Sequence, residues 1–458
     1  MFVFAQKRKL MIDFTNIEKR RASYEICYIW VHYALKALFF RKFEIKGKEN
    51  IPEEPFLIIC NHQNGLIDAM LPVFGIPNHR MVFIARGDIF KKDKVAKILK
   101  WCRVLPAFRV RDTGKENLGE NDKIFELAAN ILNNGKIVGL FPEAALQYDR
   151  SMGSFKKGFA RIAFRAEEIS NFNMHLKVLP MANYYENFFS AGHKVLLNIG
   201  KPFEFGELLD TYREHPEAAY RQLALKAQDH VRPLMLDIAD KENNAQLDSM
   251  REIYREAKQG KSARRMRMSE RLASDQAMLK NFRKLKEEKP EKFTWFVEKA
   301  KSYSDLLGKL NFRNWLIGKK LGFFAMLLLS LLALVFAPFY AVLWLLNIVP
   351  YKIPELVVKK LKDKRMSASM RLGIGAVVSY PVWNLLLFGL SFIIPWPWWC
   401  SLIFLALLTF FPIPFIALRH WFLKFYHRWR YFAKQGKDAD LKQAISLKAE
   451  LVEELRLV

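Results

Sequence analysis

The sequence predicts a mixed α/β domain flanked by helices, then a charged helical segment and a C-terminal transmembrane helical region. Strand-like and helix-like segments alternate over residues 43–205, which is typical of an α/β domain. Residues 206–320 are rich in Glu, Lys, Arg, Gln, Ala and Leu, which favour solvated helices. Two uncharged stretches, 321–349 and 372–418, are long enough to enter or cross a bilayer.

Composition points to a membrane partner. The chain has 458 residues, of which 51% are apolar, so two or three units with buried cores are expected. The 38 Phe and 11 Trp residues favour contact with lipid. The formal net charge of +27 needs an anionic partner, either anionic membrane lipids or nucleic acid. Because the basic residues lie beside apolar stretches and form no reading motif, we expect no nucleic-acid binding.

Short apolar runs predict the buried strands of the α/β domain, and the segments between them predict its helices. The first strand is Phe56–Cys60, and the others are expected at 81–85, 104–110, 136–141, 178–183 and 195–199. Helices are expected at 92–101, 122–132 and 157–169.

The remaining segments are assigned by their apolar and basic character. Residues 1–42 are an N-terminal region whose apolar run, 24–40, suggests an interfacial helix. Residues 321–418 are predicted as transmembrane hairpins, and 419–458 as a basic amphipathic tail. The basic stretch 258–267 is either a solvated helix or linker, or a contact for lipid headgroups.

The charges around the apolar stretches suggest a topology. All three flanks are basic, which favours one side for all of them, the cytoplasmic side. Residues 372–418 satisfy this as two spans joined by a turn at 395–399. Residues 321–349 satisfy it as a re-entrant hairpin that turns at Pro338. We read no signal peptide, and we expect a multi-pass or hairpin-anchored membrane protein whose α/β domain faces the cytoplasm.

Cysteine and histidine usage predicts neither a metal nor a cofactor. The four cysteines, Cys27, Cys60, Cys102 and Cys400, are far apart and are read as buried free thiols in a reducing compartment. The histidines lack metal-ligand spacing, and the sequence has no P-loop and no dinucleotide-binding glycine motif.

The segment 60–71, CNHQNGLIDAML, carries candidate chemistry. It places His62 at a predicted strand end and Asp68 a short turn further on. Such a carboxylate can fix the tautomer of the imidazole and stabilise its protonated form, so the pair can act as a general base and its orienting group. Cys60 lies nearby, and we weigh it only as a weak candidate nucleophile.

Two further segments add charged groups at strand ends. Arg109 and Arg111 are on one face of the predicted strand 104–110 and its extension, and two guanidiniums side by side suit a phosphate group. Glu143 closes the run FPE, where its carboxylate can orient an arginine or a substrate hydroxyl. Each segment taken alone also fits an ordinary edge strand or turn.

Together, in this order, the segments resemble the glycerol-phosphate acyltransferase and lysophospholipid acyltransferase superfamily (PlsC-like). The resemblance covers residues 45–205, and it rests on Asn61-His62…Asp68, on the run Leu105-Pro106-Ala107-Phe108-Arg109-Val110-Arg111, on Phe141-Pro142-Glu143 and on Val178-Leu179-Pro180.

The sequence departs from the family pattern at two points. Five residues separate His62 from Asp68, where four are common, and this spacing resembles the glycerol-3-phosphate/dihydroxyacetone-phosphate acyltransferases of fungal type. Ala144 stands where the family has glycine, and the arginine that often comes next is missing. Lys157 is the preferred substitute in the phosphate site, with Lys156 and Arg150 also near in sequence.

The resemblance implies a membrane-bound O-acyltransferase of phospholipid synthesis. Acyl-CoA or acyl-carrier protein would donate the fatty acyl group, and glycerol 3-phosphate would accept it. His62 would deprotonate the acceptor hydroxyl, Asp68 would orient His62, and Arg109, Arg111, Glu143 and Lys157 would form the substrate site. The alternatives are 1-acylglycerol 3-phosphate as the acceptor, or a non-enzymatic membrane scaffold that keeps the fold.

Overall fold

The computed structural model contains an α/β domain, a helical region and a set of long apolar helices. It describes residues 13–53, 55–76, 80–108, 118–147, 149–189, 191–260, 263, 265–361 and 366–458.

The α/β domain is built on one mixed, seven-stranded sheet. Its strands are β1 Phe40–Lys46, β2 Phe56–Cys60, β3 Met81–Arg86, β4 Val104–Ala107, β5 Ile137–Leu140, β6 Lys177–Tyr185 and β7 His193–Ile199. The strand order is β1-β7-β6-β2-β5-β3-β4. All neighbours are parallel except β6 and β7, which are antiparallel. The α/β fold expected from the sequence is therefore confirmed.

The α-helices of the described residues are numbered in chain order. They are α1 Ala22–Tyr33, α2 Leu66–Gly75, α3 Asp93–Trp101, α4 Leu118–Asn133, α5 Gly158–Ile169, α6 Leu209–Glu214, α7 Pro216–Val231, α8 Asn244–Gln259, α9 Met268–Glu288, α10 Pro290–Leu310, α11 Phe323–Lys359, α12 Ser367–Leu372, α13 Tyr380–Ser391, α14 Trp398–Phe410, α15 Pro412–Lys434 and α16 Ala439–Leu457. Short π-helical turns join α1 to β1 (Ala34–Phe39) and α12 to α13 (Gly373–Ser379).

Strand β2 lies at the centre of the sheet and is covered on both faces. All five of its residues are buried, which explains why its sequence is a continuous apolar run and not an alternating one. Leu57 and Ile59 face a core that also contains residues of α4, α5 and α7. Phe56, Ile58 and Cys60 face the opposite core, beside α2. The end of β2 is therefore held from both sides, and it fixes the position of the loop that comes after it.

The N-terminal helix differs slightly from its prediction. Helix α1 ends at Tyr33, and β1 already begins at Phe40, which pairs with His193 of β7. Ile26 and Ile29 of α1 are 71% and 68% exposed, which is compatible with the expected interfacial helix.

The described residues of the segment 206–320 lie mainly in helices, as its composition predicts. Its helices α8, α9 and α10 share one hydrophobic core with α16. The C-terminal part of the predicted tail is thus a packed helix of this core, because Leu441, Leu451 and Leu455 point into it.

The re-entrant turn predicted at Pro338 is wrong. Helix α11 is continuous from Phe323 to Lys359 and passes through Pro338, Pro350 and Pro354. A proline removes one backbone hydrogen bond, but an apolar environment offers the freed carbonyl no water, and breaking the helix would free several more groups. A turn does separate α13 from α14, but it covers residues 392–397, because Trp398 and Trp399 already belong to α14.

Two helical segments are long and apolar enough to cross a membrane, Phe323–Lys359 and Ser367–Ser391. A third becomes possible if α14 and α15, which are bent by 42° at their junction, are taken as one. Many of their large apolar side chains are exposed, including Phe324 at 82% and Ile393 at 78%. Exposed apolar surface on this scale indicates association with a membrane.

Candidate active site

The candidate site is built on the loop between β2 and α2. Asn61 fixes this loop to strand β6, because its side-chain amide donates to the carbonyl of Asn183 (3.1 Å) and its oxygen accepts from the Asn183 N–H (2.7 Å). Gly65 ends the loop at φ 53° and ψ −126°, a conformation that residues other than glycine rarely adopt. A Cβ at this position would also approach the sulfur of Met366 to 2.9 Å. The loop is therefore held in a single conformation.

His62 and Asp68 form the pair that their spacing predicts. The Nδ1 atom of His62 lies 2.9 Å from Oδ2 of Asp68. Because both oxygens of Asp68 accept hydrogen bonds from other groups, Nδ1 of His62 is the donor and its Nε2 carries the free lone pair. An imidazole in this tautomer can take a proton through Nε2.

Asp68 is completely buried and accepts hydrogen bonds on both oxygens. Oδ2 also accepts from the backbone N–H groups of Gln63 (2.7 Å) and Asn64 (2.6 Å). Oδ1 accepts from the Tyr185 hydroxyl (2.5 Å) and the Asn183 amide (3.2 Å). Burial and the neighbouring Asp68 charge hold the pKa of Tyr185 well above its ordinary value, so Tyr185 remains a donor. The carboxylate is thus fixed in position.

An aromatic ring packs against one face of the His62 imidazole. It stacks on Phe141, with ring centroids 4.2 Å apart and an interplanar angle of 14°. Phe141 in turn stacks on Phe83 at 5.8 Å. The His62 side chain keeps 17% of its surface exposed, so a substrate can reach the ring.

Glu143 lies beneath the loop and contacts its backbone. Oε1 accepts from the His62 N–H (3.2 Å), and Oε2 accepts from the Gly153 N–H (3.1 Å). Burial raises the pKa of Glu143 to about 7, against the opposing effect of these hydrogen bonds. The carboxyl group therefore joins the His62 loop to the segment around Gly153.

The residue after Glu143 explains one departure from the family pattern. Ala144 has a φ of 54°, in the left-handed region where glycine carries no steric penalty. The backbone thus adopts the conformation that suits the glycine of the family, and Ala144 tolerates it.

The structure describes only some of the residues predicted to bind phosphate. Arg109 and Arg111, with the end of the expected strand 104–110, lie outside the described residues. Lys157 immediately precedes α5, and its amine pairs with Glu217 at 2.5 Å. The Lys156 amine donates to Ser154 at 3.1 Å. The backbone N–H of Lys156 donates to the carbonyl of Pro142 (2.8 Å), the residue before Glu143.

Arg150 is an internal residue. Its Nε lies 2.5 Å from Oδ1 of Asp248, and its guanidinium lies 4.5 Å from the centre of the Phe188 ring. Only 4% of the side chain is exposed. Arg150 therefore joins the α/β domain to α8. Because its guanidinium is already paired with Asp248, it is not free to bind a substrate phosphate.

Cys60 is buried, and burial together with the charges of Asp68 and Glu143 raises its pKa well above the ordinary value. A thiol needs its thiolate form to act as a nucleophile. The structure thus supports the low weight given to Cys60.

The C-terminal region makes a contact with this loop that the sequence does not predict. The hydroxyl of Ser369 in α12 donates to the Asn64 carbonyl (3.0 Å) and accepts from the Ile67 N–H (3.4 Å). Ser369 is separated from this loop by about 300 residues, and no local motif marks it. Tyr185 and Asn183, which hold Asp68, were also missed, although they come directly after the predicted Val178-Leu179-Pro180 motif.

The His62–Asp68 pair lies in a region of the chain that matches a known protein family. Residues 42–183 match the family model named Acyltransferase. Over 143 residues, the chain is 27% identical to the "Probable 1-acyl-sn-glycerol-3-phosphate acyltransferase" of Mycoplasma pneumoniae, covering 29% of this chain and 50% of that relative. Over 112 residues it is 29% identical to the "1-acyl-sn-glycerol-3-phosphate acyltransferase" of Bacillus subtilis, covering 24% and 52%.

The chain therefore spans about half the length of the curated relatives it matches. Among solved structures, it is similar to the 1-acyl-sn-glycerophosphate (LPA) acyltransferase PlsC from Thermotoga maritima. That match has 21% identity and a TM-score of 0.31, and covers 45% of this chain and 79% of that one. At this score the likeness supports no conclusion about the site or its chemistry.

Proposed function

We propose that this protein is a membrane-bound O-acyltransferase that transfers a fatty acyl group from a thioester to a hydroxyl of a glycerol phosphate. The observation that carries the proposal is the His62–Asp68 pair. Its Nδ1–Oδ2 distance is 2.9 Å, and the pair lies within the region that matches the Acyltransferase family model. The donor is acyl-CoA or acyl-carrier protein, and no metal or other cofactor takes part.

The reaction depends on the free Nε2 of His62. This atom takes the proton of the acceptor hydroxyl as its oxygen attacks the thioester carbonyl. Asp68 stabilises the imidazolium that forms, because its buried carboxylate is already fixed by Gln63 and Asn64. When the tetrahedral intermediate collapses, the C–S bond breaks and the proton passes from Nε2 to the leaving thiolate. The products are an ester and a free thiol.

The proposed acceptor is 1-acyl-sn-glycerol 3-phosphate, which makes phosphatidic acid the product. The names of both curated relatives support this choice. Arg109 and Arg111 bind the acceptor phosphate, with Lys157 as a further candidate cation, and Glu143 contacts the backbone of His62. The exposed apolar helices support a lipid acceptor, because such a substrate reaches the site from the membrane.

A second acceptor, glycerol 3-phosphate, is favoured by one observation. Five residues separate His62 from Asp68, as in the fungal-type glycerol-3-phosphate/dihydroxyacetone-phosphate acyltransferases. In either case the enzyme is anchored by apolar helices, binds anionic lipids through its basic flanks, and faces the cytoplasm, where both donors are found.

The test is acyl transfer by the full-length protein purified in detergent. Radiolabelled 1-acylglycerol 3-phosphate and glycerol 3-phosphate are offered separately, each with a long-chain acyl-CoA and with acyl-carrier protein. We expect phosphatidic acid from the first acceptor. Product from glycerol 3-phosphate alone would establish the second acceptor. Folded protein that is inactive with all four pairs would contradict an acyltransferase function and favour the scaffold alternative.

A further inference from the structure

Helix α15 contacts the α/β domain and the helical region at separate points along its length. It packs on the π-helical turn Ala34–Phe39. Near its middle, the ring of His420 touches Gly192 of the α/β domain. At its end, Tyr431 meets Phe312 with ring centroids 5.7 Å apart. The 23 residues of α15 extend about 35 Å, more than the roughly 30 Å of a bilayer's hydrocarbon core.

Helix α11 lies antiparallel beside α15. Tyr351 contacts Phe415 (5.6 Å between ring centroids), Tyr340 contacts Phe422 (4.7 Å), and the Trp429 indole donates to the Ser330 hydroxyl (3.1 Å). One side of α11 is buried along the helix, at Met326, Ala333, Leu343, Asn347, Pro350, Pro354 and Val358. The opposite side is an exposed apolar face that runs from Phe323 to Leu356.

Both ends of α11 are joined to the same body, which consists of the α/β domain, the helical core of α8, α9, α10 and α16, and helix α15 packed on them. At the N-terminal end, the Leu321 N–H donates to the side chain of Gln435 (3.2 Å). At the other end, Glu355 pairs with Arg371 (2.7 Å), which also donates to the carbonyl of Phe189 in the α/β domain. A helix that crossed a bilayer would separate these two attachments by the full thickness of the membrane.

The charges on α15 are a second, independent argument against a bilayer crossing by α11. Arg419, Lys424, Arg428 and Arg430 lie on the helix that packs beside the uncharged part of α11. The contact of Trp429 with Ser330 places Arg428 and Arg430 level with this part. If α11 crossed the bilayer, these cations would lie in the hydrocarbon region, where a charged side chain is strongly unfavourable.

We infer that α11 does not cross the membrane, although it is long enough, and that its exposed face lies in the acyl-chain region of a single leaflet. The body carries α15 and its cations at the headgroup level, where they meet anionic phosphates. The apolar hairpin of α13 and α14 continues this surface, since Trp383 donates to the Leu346 carbonyl (2.7 Å). The protein thus rests on one side of the bilayer, with both ends of α11 on the side of the α/β domain.

Cysteine labelling tests the side on which each end lies. The parent variant is Cys27→Ser, Cys102→Ser and Cys400→Ser, which leaves only the buried Cys60. Gly322→Cys and Lys360→Cys report the two ends of α11, and Lys48→Cys reports the α/β domain, at positions that are exposed. Each variant is treated with a membrane-impermeant maleimide in sealed, uniformly oriented membrane vesicles. Acyl transfer or, if there is none, a thermal unfolding midpoint equal to the parent's confirms that each variant is folded.

We expect the maleimide to label all three positions from the same side of the vesicle. Reagent added on the other side should label none of them. Labelling of Gly322→Cys and Lys360→Cys from opposite sides would overturn the inference. A measurement of depth in the bilayer distinguishes a helix that lies along one leaflet from a hairpin that dips into the membrane. With fluorophores on Phe324→Cys, Leu334→Cys, Leu345→Cys and Leu356→Cys, quenching by spin-labelled lipids should give one shallow depth. A centre deeper than both ends by about 15 Å, half of the hydrocarbon core, would overturn it as well.

Discussion

Replacing Asp68 with asparagine keeps the size of the side chain but removes the charge opposite His62. Oδ2 of Asp68 accepts from His62, Gln63 and Asn64, and one oxygen of asparagine can still accept these bonds. The new amide group then faces the Asn183 amide, which is itself a donor, at 3.2 Å. We therefore expect His62 to keep its place but to lose the stabilisation of its protonated form.

The expected effect of Asp68→Asn on the reaction is large. A positioned general base contributes about 10²–10⁴-fold to a rate, which corresponds to about 3–5 kcal/mol of barrier at 1.36 kcal/mol for each factor of ten. We expect kcat to fall by this factor while the KM of the acceptor changes little. The matched variant Tyr185→Phe removes one donor to Oδ1 but leaves the charge, so its loss of kcat should be roughly tenfold or less, for one hydrogen bond.

The assay is the initial rate of acyl transfer over a range of acceptor concentrations, with circular dichroism and the thermal unfolding midpoint as controls for folding. If folded Asp68→Asn keeps more than half of the wild-type kcat, or if Tyr185→Phe is the more damaging change, the orienting role of Asp68 is refuted.

Three further predictions concern residues around the loop. The folded-state pKa of Glu143, about 7, lies above its ordinary value of 4.5 because of burial, so Glu143 contributes stability that is complete below pH 4.5 and is lost as the pH rises through 7. The free energy of unfolding lost in this way is at most about 3 kcal/mol. The thermal unfolding midpoint in detergent should fall from pH 5 to pH 8, and it should fall less in Glu143→Gln. Ser369→Ala removes both hydrogen bonds between the Ser369 hydroxyl and the loop. It should lower kcat by about 3–10-fold, or about 1 kcal/mol, and leave the acceptor KM unchanged. An effect on KM alone would contradict a positioning role. Ala144→Gly relieves a φ of 54° and should leave the thermal midpoint unchanged or raise it by the equivalent of up to about 1 kcal/mol, whereas a clear drop would show that the strain is absent.

Local sequence was sufficient to predict that His62 and Asp68 lie together. β2 is a continuous apolar run, so its end could be located, and Asp68 is close enough to His62 in sequence for a short turn to bring them together. The groups that hold Asp68 could not be predicted in the same way. Tyr185 lies 117 residues further along the chain, and its contact depends on the pairing of β6 with β2.

The apolar helices show where sequence patterns reach their limit. Residues 321–349 carry the same apolar composition whether they cross a bilayer or lie along it, and Pro338 suggested a turn that the structure does not have. What decides their arrangement is contact with α15 and with the body, which involves residues more than 60 positions away. The basic flanks favour one side for both ends of this stretch, which agrees with the contacts that both ends make with the same body.

The most direct test of the central claim, that His62 is the general base of an acyltransferase, is a comparison of His62→Ala with His215→Ala. His215 is an exposed histidine between α6 and α7, outside the candidate site. Phosphatidic acid formed from 1-acylglycerol 3-phosphate and a long-chain acyl-CoA is measured by mass spectrometry for both variants and the wild type. We predict that the product disappears in His62→Ala and is unchanged in His215→Ala. Wild-type amounts of product from folded His62→Ala would contradict the account.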